Sequence, residues 1–343
     1  MPVSSPCLYH TYLLSYRAAL GHWKVRMSQL ASRLFASRTL TGEKPYRTGR
    51  FWEKNAPYVF VAPFFLAFLA FQLFPIGFSV FLSLHRWDPY ADAGKSFIPL
   101  DGVFDNFTNL FNDARFWNSV GVTLRITLFC AVIGAALAVL IAVLIDRMPD
   151  WLGGIFRATF FLPAVTSVVV IAYLWRQLLN TNYGPVNGLL VALGGERADF
   201  LGGTNAIWAL NVMLIWSGLG WDVLIVSSAL RNIPTEYYEA ARLDGANENQ
   251  LFFRITLPLL QNVLFFIMTT GVIFLLGIFV QPALLVPNDP RHRVETIARY
   301  LYDRAFSKQE FGYASAIAIT LTLMMFVASF INTRFFKGGT THD

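Results

Sequence analysis

Six runs of predominantly apolar residues punctuate the chain: about Pro57 to Leu84, Val120 to Ile145, Ile155 to Leu179, Ala206 to Leu230, Val263 to Val286 and Phe311 to Phe335. A bilayer core of ~30 Å takes ~20 such residues per helix. The pattern therefore predicts an all-α fold, a polytopic membrane bundle of six transmembrane helices. An even number of spans puts both termini on one side. Between the first two runs, His85 to Ser119 is polar and aromatic and reads as a small extramembrane cap. Asn182-Tyr183-Gly184-Pro185 marks a turn.

The loop from Asn232 to Asn262 breaks the rhythm, because it is too long and too patterned for a simple connector. Pro234 suits a helix start, and Glu236 and Glu239 follow where the macrodipole favours anions. Ala240 and Ala241 are helix formers that leave a close-approach surface, and Gly245 supplies a left-handed stop. Asn247 with Gln250 three residues on reads as a capping box opening a second helix toward Pro258. The product is a helix-turn-helix, which on physics alone also fits a hairpin lying on the lipid surface.

Composition sharpens the membrane reading. Residues of the AVILMFWYC set make up 55% of the 343 and charged residues only 14%, against roughly 25% in soluble domains. The net charge of +6 is no nucleic-acid signal, since nine of the 27 Lys and Arg precede the first run. Lys44, Arg47, Arg50 and Lys54 stand nearest to it and weigh toward a cytoplasmic N-terminus, although the outer loops of that topology hold ten cations. The basic tail 1–56 has no long apolar core, which argues against a cleavable signal peptide, and Met27 offers an alternative start. Cys7 and Cys130 support neither a disulfide framework nor a zinc site. Gly94-Lys95-Ser96 imitates the end of a phosphate-binding loop, but Pro89 occupies the required upstream glycine position.

Glu239-Ala240-Ala241, then three residues, Gly245, nine residues, Ile255, one residue and Leu257-Pro258 resembles the EAA signature of permease subunits in binding-protein-dependent ABC importers. Further stretches resemble the carbohydrate branch, of the larger maltose and glycerol-3-phosphate permease type. They are Asp105-Asn106-Phe107, Gly184-Pro185-Val186-Asn187, Tyr300-Leu301-Tyr302-Asp303-Arg304-Ala305-Phe306 and Phe311-Gly312-Tyr313-Ala314-Ser315-Ala316.

The resemblance implies a transmembrane domain over 57–335, a cytoplasmic coupling element at 231–262, and a short cytoplasmic tail at 336–343. It implies that Glu239 meets a basic group of a cytoplasmic ABC ATPase dimer, that Ala240 and Ala241 pack closely and that Gly245 turns the chain. Asp244 is a further candidate, with an equal claim to a capping role. The chain itself binds no cofactor; ATP and Mg belong to the partner ATPase. The other implied partners are a second homologous permease in a heterodimer, an extracytoplasmic solute-binding protein, a sugar and membrane lipid.

For the substrate path, the resemblance brings Ser217, Gly218 and Trp221 to sugar-contact positions, and further along Gly271, Phe274, Leu275 and Ile278. Leu275 and Ile278 stand where the maltose permease has amides, which argues against maltose itself. Asp222 is the one acidic residue well inside a predicted span, where a charge costs ~2.5 kcal/mol or more unless it faces a cavity or a partner. Beside Trp221 it could hold a hydroxylated ring; alternatively it pairs with Arg125 or with the second permease. Pro75, Gly77 and Pro163 read as structural kinks. Glycerol-3-phosphate is the alternative cargo, disfavoured because an anionic phosphate would want several cations around the path and among span residues only Arg125 is clearly available. An autonomous secondary transporter would show paired half-sequences with broken helices, and a membrane enzyme would show a HExxH, GxSxG or carboxylate pair; neither pattern is visible.

Overall fold

The structure, a computed structural model, describes residues 50–87, 97–99 and 102–337. The readings on the tail before residue 50, on the stretch around Pro89 and Lys95, and on residues 338–343 lie outside these. The chain divides into two compact units, Met1–Ala70 and Phe71–Asp343. In the first, α1 (Arg50–Phe68) carries exposed aromatic side chains, with Phe64 stacked on Phe68 at 6.3 Å between centroids.

The second unit opens within a π-helical turn, Leu69–Leu73, followed by α2 (Phe74–Ser83). Pro75 explains that wide turn: it has no N–H to donate, and its ring crowds the carbonyl four residues back. Strands β1 (His85–Trp87) and β2 (Phe97–Pro99) then pair antiparallel, with Arg86 opposite Ile98. This small hairpin lies in the loop expected to form a cap. Helix α3 (Asp105–Asn112) leads to α4 (Ala114–Asp146), whose first turn is capped by Asp113 accepting from the Arg115 N–H at 2.8 Å.

Helix α5 (Asp150–Phe161) runs into a 3-10 turn, Leu162–Val165, and then α6 (Val168–Leu178), with a bend of 98° across the break. Pro163 sits in the tightened turn, so it is a structural kink at the least. After α7 (Pro185–Ala192) comes α8 (Asn205–Arg231). The hairpin follows as α9 (Thr235–Leu243) and α10 (Glu248–Leu251), a π turn Phe252–Thr256 and α11 (Leu257–Leu259). Pro258 accounts for this second π turn as Pro75 does for the first. A bend of 62° then opens α12 (Gln261–Leu276). Helices α13 (Val280–Leu285) and α14 (Ile297–Tyr302), a π turn Asp303–Ser307 and α15 (Phe311–Lys337) complete the chain.

Among the described residues, four helices are long and apolar enough to cross a membrane, and up to six when each bent pair is one span. The fifth span differs from expectation. It starts with the hairpin and stops at Leu276, where the chain turns through Gly277 and the Thr296 hydroxyl donates to the freed Ile278 carbonyl at 2.7 Å. Hydropathy does not register that turn, since Ile278, Val280 and Leu285 continue the apolar run on the other side of it.

The core is a seam between α4 and α8. Val122 and Ile126 cluster with Leu210 and Met213, and further along Val139 and Ala142 cluster with Val226 and Leu230, so the two helices run in the same direction. Where α5 crosses α8, a Cβ on Gly220 would lie 2.0 Å from the Phe160 carbonyl oxygen. Only glycine allows that approach.

Candidate functional site

At the hairpin, local chemistry explains the shape. The α9 helix ends because Gly245 adopts φ +84°, letting the Ala246 N–H donate to Ala241 O at 2.9 Å and the Gly245 N–H to Arg242 O at 3.0 Å. The capping box is complete: the Gln250 N–H donates to Asn247 Oδ1 at 2.9 Å, and the Asn247 N–H to Gln250 Oε1 at 2.8 Å. The buried Thr256 hydroxyl shares a 3.0 Å hydrogen bond with Tyr238, tying α9 to the π turn.

Glu239, Ala240, Asp244 and Gly245 are exposed, while Ala241, Ile255 and Leu257 are half-buried and Pro258 is exposed at the bend. Leu243, at the tip, is 90% exposed. The motif residues around the α9 turn are thus mostly exposed, and those leading into the bend are mostly half-buried. The sequence alone did not reveal an exposed ion-pair node between this hairpin and the end of α4. Glu248 accepts from Arg147 at the end of α4 at 3.1 Å and from Arg242 at 3.3 Å. No signal distinguished Glu248 from other helix-start acids.

A second feature is a cavity of about 520 Å³ bounded by α4, the α5–α6 break, α8, α12 and α13. Ser217, Gly218, Trp221, Asp222, Gly271 and Phe274 all line it, so one surface gathers six of the residues suggested for the path. Leu275 lines it too, whereas Ile278 is buried in the core beside it. Pro163, Thr166, Thr270 and Gln281 also face it, and the sequence did not single out the last three. Thr166 arrives through the 98° break and Gln281 through the turn after α12, whereas Thr270 stands beside Gly271 within α12.

The chemistry is that of an apolar wall with few polar points. Trp221 is 55% exposed and stacks on Phe161 with centroids 6.0 Å apart, which holds the indole as a plate at the cavity edge. Ser217 and Thr270 spend their hydroxyl protons on Leu214 O and Phe266 O, at 3.1 and 2.8 Å, leaving lone pairs free. Asp222 is half-buried, and among the described residues no ion pair joins it to Arg125, which lines a different cavity. In this structure Asp222 does not pair with Arg125.

At the opposite end of the bundle from the hairpin lies a charged network. Asp113 accepts from the Tyr300 hydroxyl, from Tyr313 at 2.8 Å and from Arg304 at 3.2 Å. Burial pushes the Asp113 carboxyl up, but the hydrogen bonds from Tyr300 and Tyr313, joined by those from the backbone N–H groups of Arg115 and Phe116, together outweigh it and hold the group below its ordinary value. Burial first, and then the bond to Asp113, pushes the Tyr300 phenol up to about 12. Arg115 bridges Glu295 at 2.6 Å and Asp303 at 2.9 Å. The stretches that resembled the carbohydrate branch are architectural here. Buried Asn106 donates to Ser83 O at 2.9 Å, Asn187 clasps Ala198 through both its amide atoms, and Gly312 passes so close to His85 that a Cβ would lie 2.1 Å from its carbonyl oxygen.

Comparison with known proteins identifies this architecture. Residues 134–338 match the family described as the binding-protein-dependent transport system inner membrane component. The chain belongs to that family. The permease is 34% identical over 292 residues to the probable ABC transporter permease protein YurN of Bacillus subtilis (strain 168), covering 83% of this chain and 97% of that one. It is 32% identical to the arabinooligosaccharides transport system permease protein AraP of the same organism, covering 83% and 91%. In fold it resembles a chain of a bacterial alginate ABC transporter solved with alginate pentasaccharide-bound periplasmic protein, with TM-score 0.74 and 22% identity over 85% of this chain and 99% of that chain. The permease is thus a multi-pass inner-membrane transport component and not an enzyme. Membership implies an ABC ATPase and a solute-binding protein as partners.

Proposed function

We propose that this permease imports a sugar or oligosaccharide, delivered by an extracytoplasmic binding protein, through the cavity lined by Trp221 and Asp222. The kinship with AraP over most of both chains carries the reading. The cavity is compatible with it: an indole plate beside a carboxylate offers stacking and charge-assisted hydrogen bonds to a hydroxylated ring. Asp222, Ser217, Gly218, Gly271 and Phe274 line the path, and Trp221 sets its edge.

The chain works as a heterodimer with a second permease, and the domain over 57–335 is powered by an ATPase dimer that alone uses ATP and Mg. The termini and the 231–262 loop are cytoplasmic. Glu239, Ala240, Ala241, Asp244 and Gly245 form the docking face, with Leu243 as an apolar contact at its tip. Ile255, Leu257 and Pro258 pass the displacement into α12 through the 62° bend. The exposure of Leu243 supports docking, because an apolar tip invites a covering surface.

The test is reconstitution. Tagged chain purified from membranes should bring a second, different permease and an ATPase, and vesicles holding that complex with its binding protein should take up labelled sugar only with ATP. Trp221→Ala should reduce uptake at low sugar about tenfold with the complex still assembled. Asp222→Asn should alter uptake without loss of assembly. Unchanged uptake in both variants would remove the cavity from the path, and a complex lacking an ATPase would overturn the reading as a whole. In intact cells, cysteines at Asn182 and Asn288 should react with an impermeant thiol reagent and one at Asn247 should not.

A further inference from the structure

A second cavity, of about 870 Å³, lies between α4 and α8 and shares no lining residue with the first. On α4 its lining recurs at Arg125, Leu128, Phe129, Val132 and Ile133, and the first cavity takes Cys130, Ala131, Gly134 and Ala135. At 100° per residue these sets occupy opposite faces of the helix. The groove is thus turned away from the proposed path.

Its polarity is graded. At one end stand Arg125 and Arg293, with Asn118 and Thr204; further along, Leu128, Val132 and Ile133 form an apolar, largely exposed track. Arg293 is placed by its loop. Asp289 accepts from the Arg293 and Val294 N–H groups at 3.0 and 2.8 Å, and Asn118 donates to His292 O at 2.8 Å. The guanidinium Nη1 then lies over Gly203, 3.7 Å from where a Cβ would be. The nearby Glu295 carboxylate is taken by Arg115 and His292. Among the described residues neither Arg125 nor Arg293 has a carboxylate within ion-pair reach.

Two unpaired guanidiniums on one cavity repel each other and call for an anion. Depth identifies which kind. Helix α4 has 33 residues, which is ~50 Å at ~1.5 Å per residue, so a core of ~30 Å leaves roughly 10 Å projecting at each end. Arg125, about 17 Å from the helix start, falls roughly 7 Å inside the core boundary, where a long cation reaches the headgroups. Trp208, exposed in the first turns of α8 and packed edge-on to Phe129 at 5.2 Å, walls the groove beside the apolar track.

We propose that this groove binds one anionic phospholipid, its phosphate held by Arg125 and Arg293 and an acyl chain laid along Leu128, Val132 and Ile133. The polar end, on the side of the bundle away from the hairpin, supplies charge and forked donors for a phosphate, and the apolar track has no use for a soluble anion.

The test uses the assembled transporter, delipidated in detergent and examined by native mass spectrometry with phosphatidylglycerol or phosphatidylcholine of the same chain length. Wild type should retain phosphatidylglycerol about tenfold better. The Arg125→Gln/Arg293→Gln double variant should lose that preference while the complex stays intact, and Ile133→Trp, which narrows the track, should weaken retention of both lipids. Should the double variant fail to assemble, a photoreactive amino acid at Leu128 in an otherwise wild-type chain decides: adducts with phospholipid are expected. Equal retention of the two lipids, or an intact double variant with unchanged preference, would overturn the assignment. So would displacement of the lipid by inorganic phosphate alone, or adducts at Leu128 with the second permease, which would make the groove a protein interface.

Discussion

The hairpin and the cavity beside Trp221 are built by opposite means. In the hairpin each turn is explained by residues a few positions away: Gly245 ends α9, Asn247 and Gln250 cap α10, and Pro258 forces the π turn. The cavity draws Gly134, Pro163, Asp222, Gly271 and Gln281 from five separate segments, and nothing local brings them together. A hairpin of the first kind can be moved as a unit, because its shape does not depend on its surroundings. A cavity of the second kind changes shape when its walls move. That division suits a machine in which one region receives force and the other reshapes around cargo.

Two glycines two residues apart on α8 sharpen the comparison most. Gly220→Ala should abolish assembly or cost several kcal/mol, about 3 or more, since its Cβ would meet backbone and not a flexible side chain. Gly218→Ala should assemble normally, because no atom lies within 4 Å of its Cβ position, and should change uptake alone. Thermal unfolding of the purified complex beside uptake in vesicles checks both. A stable Gly220→Ala complex would break the claim that tertiary closeness builds the cavity wall.

An intermediate effect is expected at the hairpin. Gly245→Val has open space around its Cβ but must hold φ +84°, a local cost of about 1–2 kcal/mol. The complex should still assemble, with ATP hydrolysis no longer coupled to uptake. Normal coupling in this variant would sink the role given to the hairpin.

The smallest effect belongs to the charged network at the far end. The Asp113 carboxyl is held below its unfolded value, so its ionisation favours folding above the unfolded value of about 3.8. That contribution is lost as pH falls through the lower folded value. Lowering the pH from 5 towards 3 should therefore reduce the unfolding temperature more in wild type than in Asp113→Asn. Equal slopes would show that the tyrosine bonds do not hold the carboxylate.

How much was legible in the sequence follows from the same contrast. The apolar runs marked the membrane segments because burial in lipid is read residue by residue from side-chain transfer, whatever the neighbours. The hairpin was legible for a different reason: caps, left-handed glycines and prolines act within four residues, so spacing suffices. The end of the fifth span was not legible, because an apolar residue buried in a turn and one buried in a helix have the same hydropathy.

Tertiary structure alone decided that Asp222 and Arg125 stand apart in different cavities, that Glu248 pairs with Arg147 at the end of α4, and that Arg293 lines the same cavity as Arg125. Each of these depends on which segments of distant sequence come side by side. That choice rests on shape, such as the backbone contact allowed at Gly220, and on bends at Pro163 and Gly277. A residue's own chemistry states what it can bind; the packing of other segments decides what it meets.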